Sequence, residues 1–512
     1  MPFKALNNRE KDKAEYSYII YSHITNHLNS AVKSKRSQSA LEYMMTYGWA
    51  ILIIVIVAVI LYSMGIFNPS SSITFTSSGF SPFTVSSSLC NNIGYKIAVL
   101  AGPIPNNANS ITINKVFLTS ATGANTTTAS YTLTNPVTLK SGQSATILIP
   151  NVACNSANTH YSLSAKIQYS YTASTLGLQT VNTTGTVAGT SITGKPSTLT
   201  SYEPITITNT QSSATPNPFQ QMVNFTSSDP GFSSIATGNF GQNVEFFYYN
   251  GTIIPSWLEN YTSTNATWWL KIAAIPGGSS ETVYVGFAPT SASLFNTVND
   301  GEAPQLSSNY GEYFDAPTVF SYATDFAGTS LPSSIDNVGA SGYYSVDNSL
   351  VLTNSTDQSV QTLFTDNTSY NPLKTGFIIK GNFPSQSDYY FGFMDQSGMY
   401  IGSNTEKVGS QYNSNIVIWY VNNSGFATTY EQGIANFGSQ TIRIWQVAPT
   451  VTGYYQVNNT AIGSYRREVD SELSSFGISW QTVSEPVTLY YVVLYALTPN
   501  GVMPSVSFDS IA

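Results

Sequence analysis

The sequence predicts a mostly β chain with one N-terminal transmembrane helix followed by two or three antiparallel β-sandwich domains. Three observations carry that prediction. Residues 49–61 are apolar without interruption. Beyond Phe67, short runs rich in Val, Ile, Thr, Tyr and Phe alternate with Gly, Pro, Asn and Ser, the punctuation of strands and turns. No later stretch sustains a helical period, and roughly 440 residues exceed what one sandwich of about 100 residues houses.

The helix comes first. Residues 44–67 are almost wholly apolar, and at about 1.5 Å per residue that length spans a bilayer core of about 30 Å. Lys33, Lys35 and Arg36 stand on its amino side, whereas no Lys or Arg follows it before Lys96. The positive-inside bias leaves residues 1–37, a basic leader, in the cytoplasm and exports the rest of a single-pass cell-membrane protein. Tyr47, Trp49 and Tyr62 suit the interfacial belts. A secretory signal would have an apolar core of about 7 to 15 residues closed by an A-x-A-like site, and this segment has neither. A plain signal anchor is the alternative, but it gives no reason for Glu42 at the membrane edge, where a carboxylate is costly.

Lys35-Arg36-Ser37-Gln38-Ser39-Ala40-Leu41-Glu42, followed by that apolar run, resembles the class III signal peptides of archaeal type IV pilins and archaellins. The resemblance covers residues 33–67. It implies a pilin-like transmembrane helix over 38–67, cut by a prepilin-type peptidase between Ser37 and Gln38. It also implies an assembly role for Glu42, pairing with the new amino terminus of a neighbouring pilin-like subunit. The plainer reading of Glu42 is a negative charge suited to the positive end of the helix dipole.

The formal charge of −8 is uneven, because residues 1–37 hold seven Lys/Arg against three Asp/Glu and leave twelve against twenty-four beyond them. An acidic exported part whose largest basic cluster is Arg466-Arg467 speaks against nucleic acid as a partner. Only 9% of residues are charged, so neutral hydroxyls and amides hydrate a surface that changes little with pH, as life in acid would require. Ten Asn-x-Ser/Thr sequons are candidate glycosylation sites: Asn125, Asn182, Asn224, Asn250, Asn260, Asn265, Asn354, Asn367, Asn422 and Asn458. Cys90 and Cys154 are expected to form a disulfide in an oxidising exterior, two free buried thiols being the alternative. His23, His27 and His160 are the only histidines, which leaves no zinc set and no His-based triad outside the membrane. No cofactor or metal is expected.

Composition divides the exported chain. Residues 70–200 form a Ser/Thr-rich β-sandwich bearing the cysteine pair, with strands such as 96–100 and 144–149, and a polar stretch over 208–218 looks like a linker. Residues 214–310 contain the run 243–247, an Asn250-Gly251 turn, a Trp257 run, the Trp268-Trp269 strand, a Gly277-Gly278 turn and the strand 281–287. Together these describe a compact antiparallel module. Residues 214–290 resemble a domain of unknown function common in archaeal and bacterial surface proteins, where it often precedes a concanavalin-like lectin domain. After a connector at 301–313, residues 311–512 suit one concanavalin-like jelly roll of two packed sheets, with inner strands at 389–393, 416–420 and 473–480. The stretch 499–506 resembles the way such domains close.

One catalytic pattern is present. Glu468, Asp470 and Glu472 read E-x-D-x-E, which on a strand sets three carboxylates on one face. It resembles the motif of laminarinase-type glycoside hydrolases, whose retaining chemistry needs two carboxyls about 5 to 5.5 Å apart. Here it follows Arg466-Arg467 and reads as a solvated turn, so the expectation is that the chain is not an enzyme. A chain that is 13% aromatic has rings to stack on sugars, although Trp419, Trp445 and Trp480 suit a strand core as well. Asp325, Asp336 and Asp347 lack a diagnostic calcium spacing. The expected function is a membrane-anchored or pilin-like archaeal cell-surface protein that adheres to extracellular glycans through its C-terminal jelly roll. The alternatives are a structural envelope or filament component without ligand, and a surface glycoside hydrolase.

Overall fold

The computed structural model describes residues 47–57 and, with short interruptions that include 303–312, 395–406 and 467–474, residues 75–512. Residues 47–57 are helical, and Trp49 and Ile54 on that helix are exposed. No helix among the described residues is long and apolar enough to cross a membrane. The structure therefore supports the β part of the expectation; of the helix expected over 38–67 it describes residues 47–57, and Ser37, Gln38 and Glu42 lie outside the described residues. The chain divides into two compact units, one ending at Ile192 and one running from Thr193 to Ala512, with residues 91–93 belonging to the second.

The first unit is a sandwich. Its larger sheet is antiparallel, in the order Thr76–Gly79, Gly177–Thr190, His160–Ala173, Ile111–Thr122 and Ser130–Leu139. It faces a smaller sheet of Phe83–Cys90, Tyr95–Ala101 and Ser144–Ile149. Alternation builds the core: Tyr95–Ala101 buries every second residue, and Ile97 and Val99 join Ile113, Val116, Leu163 and Ile167 of the larger sheet. Cys90 and Cys154 form the expected disulfide, with Cα atoms 5.6 Å apart and 64 residues of separation.

The second unit contains two sandwiches. In the middle one, a sheet ordered Phe219–Thr226, Asn265–Ile272, Ser256–Tyr261 and Asp300–Glu302 packs on a sheet ordered Val244–Phe247, Ser279–Phe287, Ser201–Asn209 and Ser505–Phe508. Ile205, Val283 and Val285 of one sheet meet Phe225, Leu258 and Trp268 of the other. The Asn250-Gly251 turn is present, with Gly251 at φ 79° and its N–H on the Tyr248 carbonyl at 2.8 Å. It closes a short antiparallel pairing, in which Phe247 bridges Ile253, the Tyr248 N–H donates to the Thr252 carbonyl at 2.9 Å and the Ile254 N–H to the Phe246 carbonyl at 2.8 Å, before the chain crosses to the opposite sheet. Two strands from outside residues 214–310 complete this sandwich, since Ser201–Asn209 lies between Ser279–Phe287 and Ser505–Phe508 and pairs with both.

The C-terminal sandwich is consequently inserted between two strands of the middle one, leaving after Glu302 and returning at Ser505. Its larger sheet includes Leu350–Leu352, Val487–Ala496, Thr375–Phe383, Gly438–Gln446, Thr452–Val457 and Thr460–Arg466. The other is ordered Ile335–Val338, Gln361–Thr365, Ser475–Val483, Ser387–Met394, Lys407–Asn413, Asn415–Val421 and Ala427–Glu431. This two-sheet antiparallel architecture is the jelly roll expected, and Leu350, Phe377 and Val492 of the first sheet share a core with Leu363, Ile478 and Trp480 of the second. An aromatic seam joins the two sandwiches: Trp257 and Trp269 of the middle one pack on Phe320, Tyr491 and Tyr495, with Trp257 edge-on to Tyr491 at 5.1 Å. Gln220 bridges the same seam, donating to the Val319 carbonyl and accepting from the Ala496 N–H.

Candidate functional site

The candidate ligand face is the side of the Ser475–Val483 sheet turned away from its core. In that strand Phe476, Ile478 and Trp480 enter the core, so alternation assigns Ser475, Gly477 and Ser479 to the opposite side. Residues directly opposite in register share a face. Gly477 is opposite Gly392, Gly392 opposite Gly409, and Gly409 opposite Trp419; on its other side Gly477 is opposite Phe364, and Phe364 opposite Asp336. Three adjacent strands thus set glycine at one level, between the register positions of Phe364 and Trp419.

Glycine in a strand interior weakens it and marks a place where something approaches the backbone. Gly392 also has φ 153°, which side chains rarely adopt. The result is a lane without side chains, three strands wide and about 10 Å long at a strand spacing of about 4.8 Å. Gly392 and Gly477 are buried, and Ser475 and Ser479 are 3% and 2% exposed. The next level along the strands holds Thr362, Ser479, Tyr390, Gln411, Val417 and Glu431 in register. Asp336, at the end of the glycine level, is exposed.

The other expected site residues fall apart in space or outside the described part. Glu468, Asp470 and Glu472 lie outside the described residues. Trp480 is a core residue, its Nε1–H donating to the Thr353 carbonyl at 3.0 Å. Trp445 is in Gly438–Gln446, opposite Tyr454. Asp325 is buried and accepts from the Ala327 N–H, while Asp347 is exposed in a turn. No group of three or more His, Cys, Asp or Glu among the described residues is disposed to hold a metal. Of the sequons, Asn182, Asn224 and Asn250 are exposed, and Asn260 and Asn265 are half-buried. Asn125, Asn354, Asn367, Asn422 and Asn458 lie outside the described residues.

Sequence reasoning missed a set of buried acids in the second unit. Glu203, Asp300, Glu302 and Asp315 are between 0% and 2% exposed. Burial pushes the Glu302 carboxyl up to about 10 and Asp315 up to about 7. Glu203 is pushed up to about 7, by burial and then by Asp229 and Asp509, against the opposing Gly231 amide. Asp300 is raised well above the usual carboxylate range by burial, with Glu245 and Asp315 adding to the effect and the Ser256 hydroxyl opposing it. The only signal for them in the sequence is the close spacing of Asp300, Glu302 and Asp315 in a chain with 9% charged residues.

No family model matches the sequence. Uncharacterized protein 562 of Sulfolobus islandicus rod-shaped virus 1 is 34% identical over 127 residues, which are 24% of this chain and 21% of that protein. The chain thus spans about a fifth of the length of the curated relative it matches. Among solved structures, a GlcNAcα1-4Gal releasing endo-β-galactosidase from Clostridium perfringens is similar over 35% of this chain and 62% of its own, at 11% identity and a TM-score of 0.27. The laminarinase from Rhodothermus marinus covers 34% of this chain and 96% of its own, at 13% identity and a TM-score of 0.26. The exoplasmic/lumenal domain of VIP36, in a Ca2+/Man3GlcNAc-bound form, covers 34% and 92%, at 10% identity and a TM-score of 0.26. The expectation that the chain is not an enzyme is corrected by these structures, which with further β-glucanases are in the main glycoside hydrolases.

Proposed function

We propose that the chain is a cell-surface protein that binds extracellular glycans on the glycine level of its C-terminal sandwich. The observation that carries this reading is the register of Gly477, Gly392 and Gly409 on the face turned from the core. A sugar ring has one apolar face and a rim of hydroxyls. A lane free of side chains admits such a ring against the backbone, aromatic residue types stand at its two ends, and the flanking positions carry hydroxyl, amide and carboxyl types at Ser479, Tyr390, Gln411, Glu431 and Asp336. The basic leader, the apolar run and the resemblance to class III signal peptides support export, with cutting between Ser37 and Gln38 by a prepilin-type peptidase. Anchoring in the cell membrane by the helix that begins there, or its joining of pilin-like subunits through Glu42, follows from the same resemblance. Exposed Asn182, Asn224 and Asn250 support glycosylation of the outer part.

A glycan array probed with residues 38–512 tests the reading. Binding that is lost in Gly409→Leu, with strand content unchanged by circular dichroism, is the expected result; full binding by that variant sinks it. A β-glucan panel run beside it separates binding from hydrolysis: turnover that disappears in Glu468→Gln would assign catalysis to that carboxyl.

A further inference from the structure

We propose that Asp300, Glu302 and Asp315 form a proton-operated latch at the root of the C-terminal sandwich, closed while the three carboxyls are protonated and opened when they ionise. Their place in the chain is the first reason. Asp300–Glu302 is the last middle-sandwich strand before the insertion, held parallel to Ser256–Tyr261. Asp315 stands directly before the short helix Ala316–Val319, whose Ala316 and Val319 enter the aromatic seam. The Glu302 N–H donates to the Tyr313 carbonyl at 2.6 Å, so the chain leaving the middle sandwich is tied to the chain entering the next one.

Their surroundings are the second reason. Asp300 accepts one hydrogen bond, from the Ser256 hydroxyl at 2.5 Å, and its other oxygen has no partner. Neither oxygen of Glu302 has a partner, nor does one oxygen of Asp315. The groups beside them are Ser256 and Leu258, in register with Asp300 and Glu302, Glu245 from Val244–Phe247, which acts on Asp300, and the Tyr313 backbone bonded to the Glu302 N–H. None of these is a cation. Lys271, on the neighbouring Asn265–Ile272, directs its Nζ to the Thr318 carbonyl at 2.9 Å instead. An ionised carboxylate in such a place is so unfavourable that the group either stays neutral or leaves. Leaving breaks the Glu302–Tyr313 tie and frees the Ala316–Val319 helix from Trp257 and Trp269, which loosens the C-terminal sandwich from its seam. This device does not depend on what the sandwich binds.

Hydrogen exchange of the full chain at pH 4 to 8, corrected for the intrinsic chemistry of exchange, tests the latch. The opening constant at the amides of Ser256, Glu302 and Phe320 is expected to rise up to about tenfold per pH unit for each carboxyl that ionises on opening, while amides of the first unit stay level. Glu302→Gln and Asp315→Asn mimic the protonated acids and are each expected to reduce that slope. Both are measured, with circular dichroism as a check of folding, so that either variant can decide alone. A level response in the unaltered protein, or a slope that both variants leave unchanged, overturns the proposal.

Discussion

At the scale of single residues, the second unit depends on a few large side chains placed between its sandwiches. Trp269 is 1% exposed, packs on Phe320 and Tyr495, and donates its Nε1–H to Glu259 at 2.7 Å. Trp269→Phe keeps most of the ring and removes that donor, so a buried carboxylate loses a hydrogen bond; the expected cost is about 1–3 kcal/mol. Calorimetry of the second unit checks it, and a variant as stable as the parent would show that the bond contributes nothing. Such residues were only half legible in the sequence. The Trp268-Trp269 pair marks a buried strand, but nothing local says that Trp268 enters the middle core while Trp269 faces a neighbour built from residues 316–497. Glu302 misled for the same reason: it read as part of a connector, and its burial, like that of Asp300, arises from pairing with Ser256–Tyr261, more than forty residues away.

At the scale of elements, the strand pattern was the most legible feature, because alternation is a local signal. The predicted 144–149 is found as Ser144–Ile149, 96–100 as Tyr95–Ala101, 389–393 as Ser387–Met394 and 416–420 as Asn415–Val421. Pairing was not legible. The glycines of the candidate face are far apart in the sequence and become neighbours only through register, so no motif search over a short window finds them. The cysteine pair was legible because compartment and count leave one partner. Cys90 ends Phe83–Cys90 and Cys154 follows Ser144–Ile149, so the bond ties together the two outer strands of the smaller sheet. Replacing both by Ser is expected to cost the first unit about 4 kcal/mol, from the chain entropy of a loop of about 65 residues. A midpoint in urea that did not move would contradict this, as would identical electrophoretic migration of the exported fragment with and without reductant.

At the scale of the molecule, acid is distributed unevenly. Residues 43–202 contain no Asp or Glu, so the sandwich of the first unit has no carboxyl to titrate, whereas the second unit holds Glu203, Asp300, Glu302 and Asp315 buried. A carboxyl whose folded pKa exceeds its unfolded value of about 4 holds its proton more tightly when folded. Its contribution is complete below about pH 4 and is lost as pH rises through the folded value. For Glu203 and Asp315 the loss runs up to about pH 7, and for Glu302 it continues toward about 10. Scanning calorimetry between pH 3 and 8 is expected to show a level transition for the first unit and a second-unit transition that falls as pH rises. A second-unit transition that instead drops on acidification, between about pH 6 and 3, would refute the assignment. Biosynthesis meets a different constraint. Ser201–Asn209 gains its Ser505–Phe508 neighbour only when a stretch 297 residues later in sequence has been made. At about 5 to 20 residues per second that is roughly 15 to 60 s of translation with one sheet edge unpaired. During that interval the whole C-terminal sandwich must fold on an incomplete platform, and the nascent chain carries an edge open to pairing with other chains.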